Sequence, residues 1–291
     1  EGGISFGTST PVYVKNSTIA GAQYGVRADG SGAYSLTVES STLTAEVPVI
    51  VRETTGEYNL TVENNATLAS TNGGPQVVVT AGKDNEAYVT PTSDVNVTLY
   101  DNVTSTFGLT AKIGNAFYAT LQDAIDNAID GDEIVLVSDV TEDVTITQKE
   151  GVNIVINGNK AENENYTFTG VMTVFGDGRQ NGAETLKIQN INFIAKNGAT
   201  SCIVSPDRTA QNLPKYSYSH NVTVDNCTFT DLDGTVDCAA IRQEDGGDKN
   251  LTVTNCTVDA TMHSLLQVNN VEGKLTLTGC TVESKNGINL N

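Results

Sequence analysis

The sequence predicts an all-β chain wound as a solenoid of short parallel strands, with one amphipathic helix near residues 120–130. Three observations predict it. The pattern apolar-x-apolar-x-turn-x-x-apolar returns eight times. Its copies recur at intervals that suit stacked rungs: 24 residues from Val12 to Leu36, from Leu36 to Leu60 and from Leu251 to Leu275, 29 from Val222 to Leu251, and 36 from Leu186 to Val222. Between about residues 108 and 133 the repeat is interrupted by an apolar stripe of period 3.6.

The clearest copies are Val222-Thr-Val224-Asp-Asn226-Cys227-Thr-Phe229, Leu251-Thr-Val253-Thr-Asn255-Cys256-Thr-Val258 and Leu275-Thr-Leu277-Thr-Gly279-Cys280-Thr-Val282. Related copies open at Val12, Leu36, Leu60 and Leu186, with a degraded one at Val97. Their first and third residues are apolar around Thr, Tyr or Lys, the alternation of a half-buried strand. The fifth residue is Asn, Ser or Gly, types that accept a left-handed backbone, so the chain turns there. The sixth and eighth positions face inward again, as Cys256 and Val258 do. One such turn cannot bury its own apolar face, whereas copies stacked about 4.8 Å apart share a core and a backbone ladder. Stacking puts Asn190, Asn226 and Asn255 in a row at one corner, and Cys227, Cys256 and Cys280 in a buried sulfur row.

On these rungs and rows the chain resembles the right-handed parallel β-helix superfamily, the pectate-lyase-like proteins. The resemblance covers most of the chain and implies rungs of three short strands with asparagine rows at the bends. It also implies substrate clefts along one strand face and the loops beside it, on a fold that hosts lyases, hydrolases, adhesins and phage spikes alike. The chain departs from the enzymes of that superfamily: it has no pair of adjacent aspartates, no His-Gly and no Arg-Ile-Lys.

The helix is read from Leu121, Ala124, Ile125, Ala128 and Ile129, spaced i, i+3, i+4, i+7 and i+8. Thr120 with Asp123 approximates a capping box, and Gly131 stands where a helix stop favours glycine. Strands follow at Ile134-Val-Leu-Val137 and Val144-Thr-Ile146. A helix ahead of a first strand covers the open edge that a β-helix would otherwise expose. The run from Ile113 through Tyr118 and Leu121 to Ile146 is similar to the capping segment of bacterial surface β-helix proteins. The expected division is therefore residues 1–107, a first block of rungs whose natural start lies upstream, and residues 108–291, a capping helix with a second β-helix. A small sandwich of hairpins is the alternative for the first block. Gly287-Ile-Asn-Leu290 reads as an uncapped strand, so further sequence or a partner is expected beyond Asn291.

With 35 acidic against 16 basic side chains the net charge is −19, which disfavours nucleic acid as a partner. An anionic polysaccharide would need a bridging cation, and Ca2+ is the candidate. Gly176-Asp-Gly178 and Glu244-Asp-Gly-Gly-Asp248 are places for it, although neither matches a calcium-loop motif. No eighteen-residue apolar stretch exists, so direct membrane insertion is not expected. The five cysteines, Cys202, Cys227, Cys238, Cys256 and Cys280, fit neither a zinc signature nor a disulfide framework and are read as core residues. No metal site and no bound cofactor are predicted.

Candidate chemistry sits where the third strand of each rung ends in polar residues: Val174-Phe-Gly-Asp177, Ile203-Val-Ser-Pro-Asp207, Ala240-Ile-Arg-Gln-Glu244 and Leu265-Leu-Gln-Val-Asn269. Aligned by rung, Asp177, Asp207, Glu244 and Asn269 form one column, with Arg179, Arg208, Arg242 and Asp245 beside it. Carboxylates on adjacent rungs would lie about 5 Å apart, the separation used by paired acid and nucleophile in glycoside hydrolysis. Asp207, Glu244 and Asp245 are thus the catalytic candidates. Asp177, Arg208, Tyr216, Tyr218 and Arg242 are the ligand-binding ones, the tyrosines offering stacking surface from the long loop between Ser205 and Asn221. His220 is read as structural and His263 as a turn residue. The outward threonines 252, 254, 276 and 278 form a regular array on exposed strands.

The expected function is a secreted or cell-surface module that binds polysaccharide or host glycan without catalysis, an adhesin. A polysaccharide lyase or glycoside hydrolase acting on the exposed strand face is the alternative. A purely structural spacer is the second alternative.

Overall fold

A computed structural model describes residues 2–7, 10–29, 34–52, 57–63, 66–80, 82–84, 87–89, 96–101, 109–114, 116–161, 164–176, 182–206, 219–232, 237–244, 250–269 and 273–290. The described residues are nearly all β, with a single short helix, and form a β-solenoid of about 8 turns. It divides into two compact units, Glu1–Asn127 and Ala128–Asn291.

The second unit shows the rung most fully. Its first strands, Glu133–Leu136, Ile154–Asn157, Leu186–Gln189, Val222–Asp225, Leu251–Thr254 and Leu275–Thr278, pair in parallel in that order. A six-stranded second sheet runs from Val140–Thr141 to Thr281–Val282, and a six-stranded third sheet from Val144–Thr147 to Ile288–Leu290. The register follows the sequence template: Leu186 pairs with Val222, Val222 with Leu251, and Leu251 with Leu275. Inward residues stack in files. Phe168, Phe193 and Phe229 are fully buried one above another, with ring centroids 5.5 Å and then 4.9 Å apart, the second pair stacked nearly parallel. Burying a phenyl ring in such a file contributes about 2–3 kcal/mol from lost water contact. Strand stacking alone does not require aromatic residues, so this file reinforces the core beyond the backbone ladder.

The corners explain the template's fifth position. Asn16, Ser40, Asn190, Asn226, Asn255 and Gly279 all take positive φ, between 48° and 66°. The Asn190 amide donates to Asn157 Oδ1 over 2.8 Å, and the Asn226 amide donates to Asn190 Oδ1 over 2.8 Å. The row then changes partner, because the Asn255 amide donates to Asp225 Oδ1 at 3.2 Å. A second polar row lies at the entry to the first strands. Asn153 donates to Asp130 Oδ1, Thr185 donates to Asn153 Oδ1, and the Asn250 amide donates to Asn221 Oδ1. Asn221 there has φ 37°. The Asp130 carboxyl is held below its ordinary value by the side-chain and backbone donors of Asn153.

In the first unit Val12–Lys15, Tyr34–Glu39, Glu57–Glu63 and Asn96–Asp101 pair in parallel. Thr18–Ala20, Thr42–Ala45 and Thr67–Ser70 form the second sheet, and the third carries Ile4–Phe6, Tyr24–Asp29, Val47–Arg52 and Val77–Thr80. The parallel pairings make this block a stack of rungs and exclude the hairpin sandwich. Lys15 pairs with Glu39 on its outer face, and that hydrogen bond raises the lysine's pKa.

Three sequence expectations are corrected. The degraded copy starts two residues later than expected, since Leu60 pairs with Leu99 and Val97 with Tyr58. A copy at Ile154-Val-Ile156 was hidden by the hairpin Asn159–Ala161/Glu164–Asn165 inserted after its first strand, and it pairs in register with Leu186. The helix spans only Leu121–Asn127, so Ile129 is 68% exposed and Gly131 is no helix stop. Gly131, at φ 84°, instead turns the chain into a rung, donating to Asn153 O. Thr120 does cap the helix, accepting from the Asp123 N–H at 3.0 Å. The helix packs on the hairpin Ala111–Ile113/Ala116–Tyr118, whose second strand pairs antiparallel with Val77–Thr80, so both belong to the first unit. The expected boundary at 107/108 falls in 102–108, outside the described residues.

Candidate functional site

The third sheet of the second unit presents two outward rows. In one, Thr145 pairs with Thr173, Thr173 with Val204, Val204 with Arg242, Arg242 with Gln267, and Gln267 with Asn289. In the other, Thr147 pairs with Phe175 and Glu244 with Asn269. Period-two alternation makes this so: Ile146, Val174, Ser205 and Gln243 between them are buried. Arg242 and Glu244, two residues apart on one strand, form an ion pair with Nε to Oε1 at 2.7 Å, their side chains 24% and 26% exposed. Phe175, Val204, Gln267, Asn269 and Asn289 are half-buried.

This arrangement supports part of the expected column. Glu244 and Asn269 do stand opposite each other, with Arg242 beside Glu244. The alignment between the two preceding rungs is one residue out, because Ile203 pairs with Ile241 and not with Ala240. The described pairing of these two strands ends at Ser205 with Gln243, short of Asp207. Asp177, Arg179, Asp207, Arg208, Tyr216, Tyr218 and Asp245 lie outside the described residues. So do most of the residues proposed for Ca2+, and among the described residues no group of three or more His, Cys, Asp or Glu is arranged to hold a metal ion. Glu244 is the one carboxylate on the described strands of this sheet. Gln267 and Asn289 were missed in the sequence. The signal was there, since each lies at the same strand position as Arg242.

A second polar cluster lies on the outward face of the first sheet. Asp225 receives the Thr254 hydroxyl at 2.7 Å, Lys187 Nζ at 3.0 Å and the Asn255 amide at 3.2 Å. Partial burial works to raise its carboxyl, and the hydrogen bonds from Thr254, Lys187 and Asn255 outweigh that and hold it below the ordinary value. Both carboxylate oxygens of Asp225 are thereby used in joining three rungs.

The two histidines have structural settings. His220 is buried, its backbone N–H donating to Gln148 Oε1 at 2.6 Å and its carbonyl accepting from Gln148 Nε2 at 2.7 Å. His263 contacts Asp237 at 3.0 Å and the Asn286 amide at 2.9 Å, linking turn residues of three rungs. Neither faces the Arg242 row through any of these contacts.

Compared with known proteins, the chain matches no family model, no curated protein and no solved structure. Among the described residues no helix is long and apolar enough to cross a membrane.

Proposed function

We propose that the outward face of the third sheet binds a glycan chain without cleaving it, in a secreted or cell-surface protein of the pectate-lyase-like kind. The observation that carries this reading is the file Arg242, Gln267 and Asn289, one side chain per rung, flanked by Glu244 and Asn269. One polar side chain, a guanidinium and then two amides, stands about every 4.8 Å along the file, with the Glu244 carboxylate beside it. They offer fixed donors and acceptors in the bidentate geometry that vicinal sugar hydroxyls match. Half-buried Phe175 and Val204 add apolar surface for the faces of sugar rings. Glu244 supports binding rather than hydrolysis, since it is held by Arg242 and its register partner is the amide Asn269.

The test is a glycan array followed by calorimetry on the glycans retained. Replacing both Arg242 and Gln267 with Ala is expected to weaken binding at least about tenfold, the loss of one or two charge-assisted bonds. Thr252→Ala, on the first sheet, is expected to leave it unchanged. An array that retains no glycan, or release of reducing ends that disappears in Glu244→Gln, would replace this reading with the spacer or the hydrolase respectively.

A further inference from the structure

Four Asn-Gly pairs lie among the described residues: Asn72–Gly73, Asn157–Gly158, Asn197–Gly198 and Asn286–Gly287. An asparagine followed by glycine can close a five-membered ring, because glycine has no Cβ to keep its backbone nitrogen from the carboxamide carbon. The fold restrains three of the four. Asn72 Oδ1 accepts from Ser70 Oγ at 2.8 Å and from the Gly74 N–H at 3.0 Å. The Asn157 carboxamide donates to Glu133 Oε1 at 2.8 Å and accepts from the Asn190 amide at 2.8 Å, while the Gly158 N–H donates to Gln189 O at 3.0 Å. The Asn286 amide meets His263 Nε2 at 2.9 Å, and the Gly287 N–H donates to Ser284 Oγ at 3.1 Å. Asn197–Gly198 differs. Both residues are exposed, and neither the Asn197 carboxamide nor the Gly198 N–H has a hydrogen-bond partner among the described residues. The pair forms the tip of a turn closed by the Ala199 N–H on Lys196 O at 2.9 Å, with Gly198 at φ 77° and open space where a Cβ would stand.

We infer that Asn197 is a site of spontaneous modification, where the Gly198 backbone nitrogen displaces the side-chain amide and water then leaves a carboxylate in its place. In the first step the Gly198 nitrogen attacks Asn197 Cγ. The N–Cγ bond forms, the Cγ–Nδ2 bond breaks, and ammonia leaves with the proton of the attacking nitrogen. In the second step water opens the cyclic imide at one of its two carbonyls, and no oxidant or reductant takes part. Opening at the side-chain carbonyl gives aspartate with the main chain restored. Opening at the main-chain carbonyl gives isoaspartate, in which the main chain runs through Cγ and is one methylene longer. That product no longer fits the turn closed by Ala199, which leads into Ser201–Ser205 of the third sheet. Either product sets a new carboxylate next in sequence to Lys196, whose Nζ pairs with Asp143 Oδ2 at 2.6 Å.

The experiment incubates the folded chain in mildly alkaline buffer, digests it in acid and follows the four Asn-Gly peptides by liquid chromatography and mass spectrometry. Electron-transfer fragmentation separates aspartate from isoaspartate. The Asn197–Gly198 peptide is expected to convert at least about tenfold faster than the other three, whose bonds must open first. In urea, where no rung or turn holds any of them, the four rates should converge to within about threefold. Gly198→Ala is expected to slow conversion at Asn197, since a Cβ then stands beside the attacking nitrogen. Equal rates for the four pairs in the folded chain, or a faster rate at Asn72, Asn157 or Asn286, would overturn the proposal. So would a spread in urea as wide as the folded one, which would assign the selectivity to neighbouring sequence and not to the fold. These comparisons use the unsubstituted chain, so they hold whether or not the variant folds.

Discussion

Asn226 donates its side-chain amide to the Asn190 carboxamide oxygen at 2.8 Å while both residues hold a left-handed backbone, at φ 51° and 57°. The corner thus combines two demands, a turn that most side chains resist and a rung-to-rung hydrogen bond that glycine cannot make. Asparagine meets both.

Substituting Asn190 separates those demands. Asn190→Gly keeps the turn and loses the bonds to Asn157 and Asn226, an expected cost of about 1–2 kcal/mol. Asn190→Ala loses the bonds and adds left-handed strain, for about 3 kcal/mol in total. Urea unfolding of the three proteins checks the order, Asn above Gly above Ala. Alanine equal to glycine would remove the strain argument.

Phe193 sits between Phe168 and Phe229 and is 1% exposed. Phe193→Ala is expected to destabilise by about 3–5 kcal/mol, since rungs held by backbone ladders on both sides cannot collapse into the void. Phe193→Leu should cost about 1–2 kcal/mol. Denaturation midpoints decide, and a midpoint for the alanine variant within error of the parent would contradict the aromatic file.

How legible this was depended on the residue. Turn positions could mostly be read directly, because Asn, Ser and Gly at the fifth place favour a left-handed corner: Asn16, Ser40, Asn190, Asn226, Asn255 and Gly279 have it, whereas Gly158, where the hairpin is inserted, does not. Register was harder. A period-two strand carries no label for which apolar residue faces which, so Val97 stood for Leu99 and Ala240 for Ile241 until the ladder fixed them. The hairpin after Asn157 broke the template and hid a whole rung. For the binding face the sequence named Arg242 and Glu244 by their strand-end position, and overlooked Gln267 and Asn289 because amides on an exposed strand look like ordinary solvated residues.

Asp225 makes the second unit acid-sensitive. Its carboxyl is held below the ordinary value in the folded chain, so its contribution is fully present above the unfolded carboxylate pKa of about 4 and is lost as pH falls through the lower folded value. Asp225→Asn removes this contribution. The stability gap between the parent and the variant, measured by urea unfolding, should be constant from neutral pH to about pH 5 and narrow steadily below about pH 4. A gap that widens in acid would show the sign to be wrong.

Asn153 and Asp130 offer a control for the entry row. Asn153→Ala removes the side-chain amide donor that helps to hold the Asp130 carboxyl down, leaving the backbone donor in place, and also removes the acceptor for the Thr185 N–H and hydroxyl. NMR titration of Asp130 should find its pKa higher in the variant than in the parent. An unchanged value would mean that the Asn153 side-chain bond does not carry the shift.

The binding face is tested most directly by hydrogen exchange of the intact chain with and without a glycan retained on the array. Slower exchange is expected in residues 239–244, 264–269 and 288–290 of the third sheet, and unchanged exchange in the first-sheet strands Leu251–Thr254 and Leu275–Thr278. Protection confined to the first or second sheet, or none with a saturating glycan, would contradict a glycan site built on Arg242, Gln267 and Asn289.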